Sequence, residues 1–180
     1  TSMAFWMQIA IEGWLIYDLT ASPFFLSLAA ISRAVPMLVV SPFAGVLVDR
    51  IDKRRILVAT QGFTMALALV MATLVISGKI QPWHLLASAA ISGIAIAANV
   101  PARYGLTALV VPKVHLANAI AIHATTVSTS RIVGPQIAGM LVAVVGAGAS
   151  YLIQAATFLW ALFNFRRIRT PNVSRPRSDR

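Results

Sequence analysis

Apolar residues in this chain come in runs close to 20 residues long with no polar face, and six such runs follow one another. They predict helices over residues 3–19, 24–48, 56–76, 83–101, 117–145 and 150–165. The first stops at Thr20, Ala21, Ser22 and Pro23, and the second ends on the charged stretch from Asp49 to Arg55. Ser77, Gly78 and Lys79 close the third, and the fourth fades around Val100 and Pro101. The reading is an all-α membrane protein of six transmembrane helices, one domain over residues 1–166. A basic Pro/Arg/Ser linker over 167–180 is expected to be disordered. The chain starts on Thr1 with no signal peptide before the first run, so that helix reads as truncated and the chain as a fragment.

Composition sharpens this. Of the 180 residues, 58% are hydrophobic and 11% charged, where a soluble domain carries about 25% charged. The net charge of +10 raises the question of nucleic acid. The Lys and Arg residues, however, cluster between the apolar runs, which is the pattern of membrane topology; no nucleic-acid partner is expected. There is no cysteine, which excludes disulfides and thiolate chemistry, and neither a metal site nor a cofactor is expected.

The same basic residues orient the chain. Arg50, Lys53, Arg54 and Arg55 lie in the 2–3 loop, Arg103 and Lys113 in the 4–5 loop, and six arginines in the tail; Lys79 stands alone on the other side. The positive-inside bias places those two loops and the tail in the cytoplasm, in a multi-pass protein of the plasma (inner) membrane.

Arg33 and Arg131 fall inside spans. Arg33 is ten residues past Pro23, roughly 15 Å deep at 1.5 Å per residue, and Arg131 is fourteen residues from either end of its run. Charges at that depth cost about 2.5–3.5 kcal/mol each on insertion scales and normally face a bundle interior or a wet cavity. Glu12 is the one deep carboxylate and the natural partner of either arginine; Asp18 lies near the interface. Two arginines against one glutamate imply a net positive cavity suited to an anionic or partly anionic solute, with Glu12 a candidate carrier of a coupling proton. His123 reads as a hydrogen-bonded packing residue.

A short repeat links the two arginines: Ser32, Arg33, Ala34, Val35, Pro36 resembles Ser130, Arg131, Ile132, Val133, Gly134, Pro135 with one residue inserted. That makes the second and fifth runs equivalent in a 3+3 inverted repeat, a plan used by many secondary transporters. Pro36, Pro42 and Pro135 each remove a mid-helix hydrogen bond, and Ser41, Gly45, Ser130, Gly134, Ala138 and Gly139 form small faces for close helix packing.

Gly45, Asp49, Arg50, Lys53 and Arg54 are similar to the loop 2–3 signature of the major facilitator superfamily, with Asp52 where the pattern prefers glycine. Ser130, Gly134, Pro135, Ala138 and Gly139 resemble the fifth-helix antiporter motif of its exporters, with Ser130 and Ala138 replacing two glycines. Asn99-Val100-Pro101-Ala102-Arg103 and Leu116-Ala117-Asn118-Ala119 resemble the subgroup of the enterobactin exporter and macrolide-efflux proteins. The resemblance implies the N-terminal half of a twelve-helix transporter, its partner the missing C-terminal six-helix half. It implies a proton-coupled exporter of drugs, siderophores or other amphipathic small molecules. Asp49, Arg50, Lys53 and Arg54 would form a cytoplasmic gate, the first and fourth helices would line the cavity, and the third and sixth would face lipid. Two other readings remain: the six-helix permease of an ABC-type transporter, against which the short loops argue, and an intramembrane enzyme, for which no nucleophile–base pair exists.

Overall fold

The computed structural model describes residues 2–167, apart from the side chains at positions 49 and 165–167. The described residues form five α-helices, α1 Ser2–Thr20, α2 Pro23–Arg50, α3 Lys53–Ile76, α4 Pro82–Val110 and α5 Leu116–Arg167, with a 3-10 turn at Lys113–His115. Four of them, α2 to α5, are long and apolar enough to cross a membrane. The six runs and these four helices differ in two places. The first run, interrupted by Gln8, Glu12 and Asp18, gives the shorter α1, and the fifth and sixth runs join in α5. Within α5 the helix breaks at Gly146, whose φ of 81° and ψ of 165° belong to a region essentially reserved for glycine. The break divides it into limbs 116–145 and 147–167. The linker expected over 167–180 lies, beyond position 167, outside the described residues.

Short-range chemistry sets the other boundaries. Pro23 and Pro82 sit in the first turns of α2 and α4, where a missing N–H costs nothing. Asp52 caps α3 by accepting from the Arg54 N–H at 2.9 Å. With φ at −57°, that position has no need of the glycine the loop signature prefers. At the other end of α3, Gly78 takes φ 68°; its N–H donates to the Val75 carbonyl and that of Lys79 to Leu74, the paired bonds of a Schellman cap.

One sequence expectation is corrected here. The fourth helix does not fade at Pro101 but continues to Val110, so Arg103 lies in the helix rather than in a cytoplasmic loop. Pro101 loses a single backbone bond, while Ala102 and Leu106 beyond it are buried against Val48, Ile56 and Leu57. Tertiary packing holds the helix together across the proline. α2 likewise runs through Pro36 and Pro42, and the first limb of α5 through Pro135.

α2 packs mainly on α4, α1 on α5, and α3 on both α4 and α5. Glycines mark the closest crossings. At Gly93 of α4 any Cβ would collide with the Arg33 carbonyl oxygen of α2, and at Gly134 of α5 it would lie 2.8 Å from Trp6 Cβ of α1. At Gly148 the second limb meets Ile76 of α3, a built Cβ lying 2.6 Å from its Cγ1. The larger apolar core, built around Ile11, Leu15, Ile16, Met71, Leu85 and Tyr151, fills the half of the bundle holding the α3–α4 connection. A smaller one, Val48, Ile56, Leu57, Ala102 and Leu106, lies at the basic α2–α3 end.

Candidate functional site: an ion pair beneath a cavity

Helical spacing puts Gln8 and Glu12 on one face of α1, turned inward, and both are buried. The Gln8 amide donates to Glu12 Oε1 at 2.9 Å, and Ser88 of α4 donates to the same oxygen at 2.7 Å. The other carboxylate oxygen takes the guanidinium of Arg33 from α2 in a salt bridge. Arg33 also reaches Ser92 of α4 through Nε at 3.4 Å. From the second limb of α5, Gln154 donates to Gln8 Oε1 at 3.1 Å and to the Ala4 carbonyl at 3.3 Å. Four helices thus meet at one polar knot, with Glu12 1% exposed. Buried charges persist when paired and hydrogen-bonded, and Glu12 is both.

Above this knot, toward the α2–α3 end, is a cavity of about 430 Å³. Arg33 belongs to its wall, along with Phe5, Trp6 and Ile9 of α1, Met37 of α2, and Thr60, Gln61 and Thr64 of α3. Ser2 of α1, Asn99, Arg103 and Tyr104 of α4, His123 and Val127 of the first α5 limb, and Phe158 of the second also line it. The wall is mostly apolar with a few polar groups, the usual character of a small-molecule pocket. A hydrogen-bonded relay runs along one side: Asn99 donates to Thr60 at 2.9 Å, and Arg103 donates to Asn99 Oδ1 at 3.0 Å and to Ser2 at 3.3 Å.

The residues singled out in the sequence separate into groups. Glu12 meets Arg33 and not Arg131. Arg131 is exposed and lies over the Trp6 ring, 5.3 Å from its centroid. Ser130 and Gly134 are buried against α1, whereas Gly139, like Gly45, has open space where a side chain would go. Gly45, Asp49 and Arg50 fall in the last turns of α2, and Lys53 and Arg54 open α3. The Lys53 stem crosses α4 at Gly105, where a Cβ would lie 2.6 Å from its Cε. α3 is not confined to the periphery, since Thr60, Gln61 and Thr64 face the cavity. The His123 ring meets Tyr104 edge-on at 5.1 Å, and among the described residues neither of its ring nitrogens has a hydrogen-bond partner.

Gln8, Ser88, Gln61 and Gln154 carry no charge to single them out in the sequence. The available signal was an uncharged polar residue inside an apolar run, and for Gln8 its spacing of four from Glu12.

Comparison with known proteins gives the family. The chain belongs to the major facilitator family described as transmembrane secretion effectors, whose model matches residues 1–177. It is therefore a transporter-family, multi-pass membrane protein and not an enzyme. It is 26% identical over 159 residues to an uncharacterized MFS-type transporter of Bacillus subtilis, covering 88% of this chain and 37% of that protein. Against the staphyloferrin A transporter of Staphylococcus aureus the identity is 27% over 151 residues, 83% of this chain and 38% of the relative. Against macrolide efflux protein A of Streptococcus pyogenes it is 28% over 167 residues, 93% and 41%. The chain thus spans about two-fifths of the length of these relatives.

Proposed function

We propose that this chain is the N-terminal six-helix half of a twelve-helix secondary transporter, a proton-coupled exporter of drugs, siderophores or other amphipathic small molecules working by alternating access. The observation that carries the reading is the buried Glu12–Arg33 pair at the floor of a cavity lined by every helix of the bundle. An ionisable pair at membrane mid-depth costs too much to be retained for packing alone, and there it marks a solute or proton path.

The helix pairings support a 3+3 inverted repeat. If α1 exchanges with α4, α2 with the first α5 limb and α3 with the second, the α2–α4 crossing becomes the first limb on α1. The Gly93 and Gly134 close approaches fall on these two exchanged crossings. The cavity occupies the half of the bundle nearest the basic loops, so under the positive-inside rule it opens to the cytoplasm, and the larger apolar core seals the opposite face. That is the inward-facing arm of an alternating-access cycle in the plasma membrane. Asp49, Arg50, Lys53 and Arg54 would then form the cytoplasmic gate, Lys53 sliding over Gly105. Ser130 and Gly134 of the antiporter-type motif seat the first α5 limb on α1, and Pro135 and Gly139 would line the hinge against the missing C-terminal half. The relatives named for staphyloferrin A transport and macrolide efflux point to siderophores and macrolides as the first solutes to try.

The test uses the full-length protein in everted membrane vesicles. An imposed inward-acid gradient without ATP should drive uptake of a macrolide or a siderophore, a protonophore should abolish it, and Glu12→Gln should remove the response to the gradient. Uptake that needs ATP and ignores the protonophore would refute the proposal.

A further inference from the structure

Ser2, Arg103 and His123 line not only the main cavity but also a second one of about 470 Å³, whose wall includes Thr126 and Ser130 of α5. The three residues therefore stand at a neck between two chambers. Arg33 is occupied by Glu12, and Arg131 lies over Trp6 outside the main cavity wall. Arg103 is different: among the described residues no carboxylate pairs with it, and its recorded bonds go to the neutral oxygens of Asn99 and Ser2. Those bonds fix the guanidinium while leaving part of its five-donor fork unspent. Nearby, Gln61 is 4% exposed with its amide oxygen unpartnered, and both ring nitrogens of His123 are unpartnered. Polar groups with bonding capacity to spare beside an oriented cation can serve a polar ligand.

Resting on the transporter reading of this cavity, we propose that the neck binds the carboxylate of an amphipathic acid, with Arg103 the residue that reads the charge. Charge and shape both select this class. A fixed guanidinium with unspent donors takes a planar carboxylate in two parallel bonds. A cationic solute would be repelled by the same group. A small inorganic anion would leave the apolar wall of Phe5, Met37 and Tyr104 uncovered, whereas an apolar ring or chain fills it. The main cavity lies within the roughly 300–1,000 Å³ of ordinary ligand sites.

The test is equilibrium binding to the full-length protein in neutral detergent, with no ion gradient, titrated against matched empty micelles. The probes are 1-naphthylacetate and its uncharged isostere 1-naphthylacetamide. The wild type should bind the acid about tenfold more tightly than the amide. Arg103→Gln should erase the preference, weakening the acid far more than the amide, and Arg131→Gln should keep the preference. Asn99→Asp, which sets a carboxylate against Arg103 in place, should abolish acid binding while conserving the fold. Equal affinities in the wild type, or a preference that survives in both Arg103→Gln and Asn99→Asp, would overturn the inference. Gradient-driven uptake is measured separately: if it fails while the acid preference behaves as stated, the transporter reading falls and the site remains.

Discussion

Replacing Glu12 by Gln keeps the size of the side chain and its capacity to bond Gln8 and Ser88, but leaves the Arg33 guanidinium without its counter-charge. Removing one partner of a buried pair costs about 3–5 kcal/mol, because the survivor's desolvation goes uncompensated. Arg33 retains 15% side-chain exposure and a bond to Ser92, so the low end, about 3 kcal/mol, is expected. Arg33→Gln should cost a similar amount, since it strands a carboxylate that is almost fully buried. The double variant strands neither, so its destabilisation should fall below the sum of the singles, with a coupling energy of about 2 kcal/mol. The assay is reversible SDS unfolding of the full-length protein in mixed micelles, followed by tryptophan fluorescence, for wild type, both singles and the double. Additive effects within about 0.5 kcal/mol would show that the two side chains do not depend on one another, and the knot linking α1, α2 and α4 would have to be abandoned.

Three further outcomes follow from backbone geometry. Gly93→Ala forces a Cβ into the Arg33 carbonyl and should destabilise by about 1–3 kcal/mol in SDS unfolding of this 180-residue chain; Gly45→Ala in the same chain, which meets nothing within 4 Å, is the matched control and should not destabilise it. Gly146→Ala places a side chain at φ 81° and ψ 165° and should cost about 1–3 kcal/mol, read as loss of the folded fraction on unfolding. Asp52→Ala removes the cap of α3 and should cost about 1 kcal/mol, whereas Asp52→Gly should cost only a few tenths, a difference that the same unfolding curves resolve.

Much of this was legible in the sequence because a bilayer leaves a chain few options. Long apolar runs must be helices, so their positions followed from hydropathy, and Glu12 and Arg33 stood out because charges at that depth need a reason. The fourth helix was misjudged because Pro101 is a local breaker, while what overrules it, the burial of Ala102 and Leu106 under residues some fifty positions earlier, is non-local. The same error hid Arg103 in a supposed loop. Which arginine Glu12 would choose depended on helix rotation: α2 presents Arg33 inward across the Gly93 crossing, and the first limb of α5 lays Arg131 over Trp6. Glutamines and serines carry no charge penalty to announce them, so their place inside apolar runs marks them only weakly, and which of them meet Glu12 depends on how the helices pack.

Among the described residues of α2 only Ala29, Ala44 and Val48 are buried, while Phe24, Leu38 and Phe43 are each about 70% exposed. In water such a helix would be recognised as sticky, but a bilayer gives no such cue, because hydrocarbon tails receive Phe and Leu as readily as a neighbouring helix does. On the proposed reading, the second half that covers α2 and the first limb of α5 would therefore be selected by contour. Gly45 and Gly139, where an added Cβ would meet nothing within 4 Å among the described residues, would on the proposed reading be notches cut to the depth of another backbone. A bulky residue at either would leave these segments folded while denying that second surface its seat. Loss of transport with unimpaired stability of the isolated segments is how such a defect would show itself.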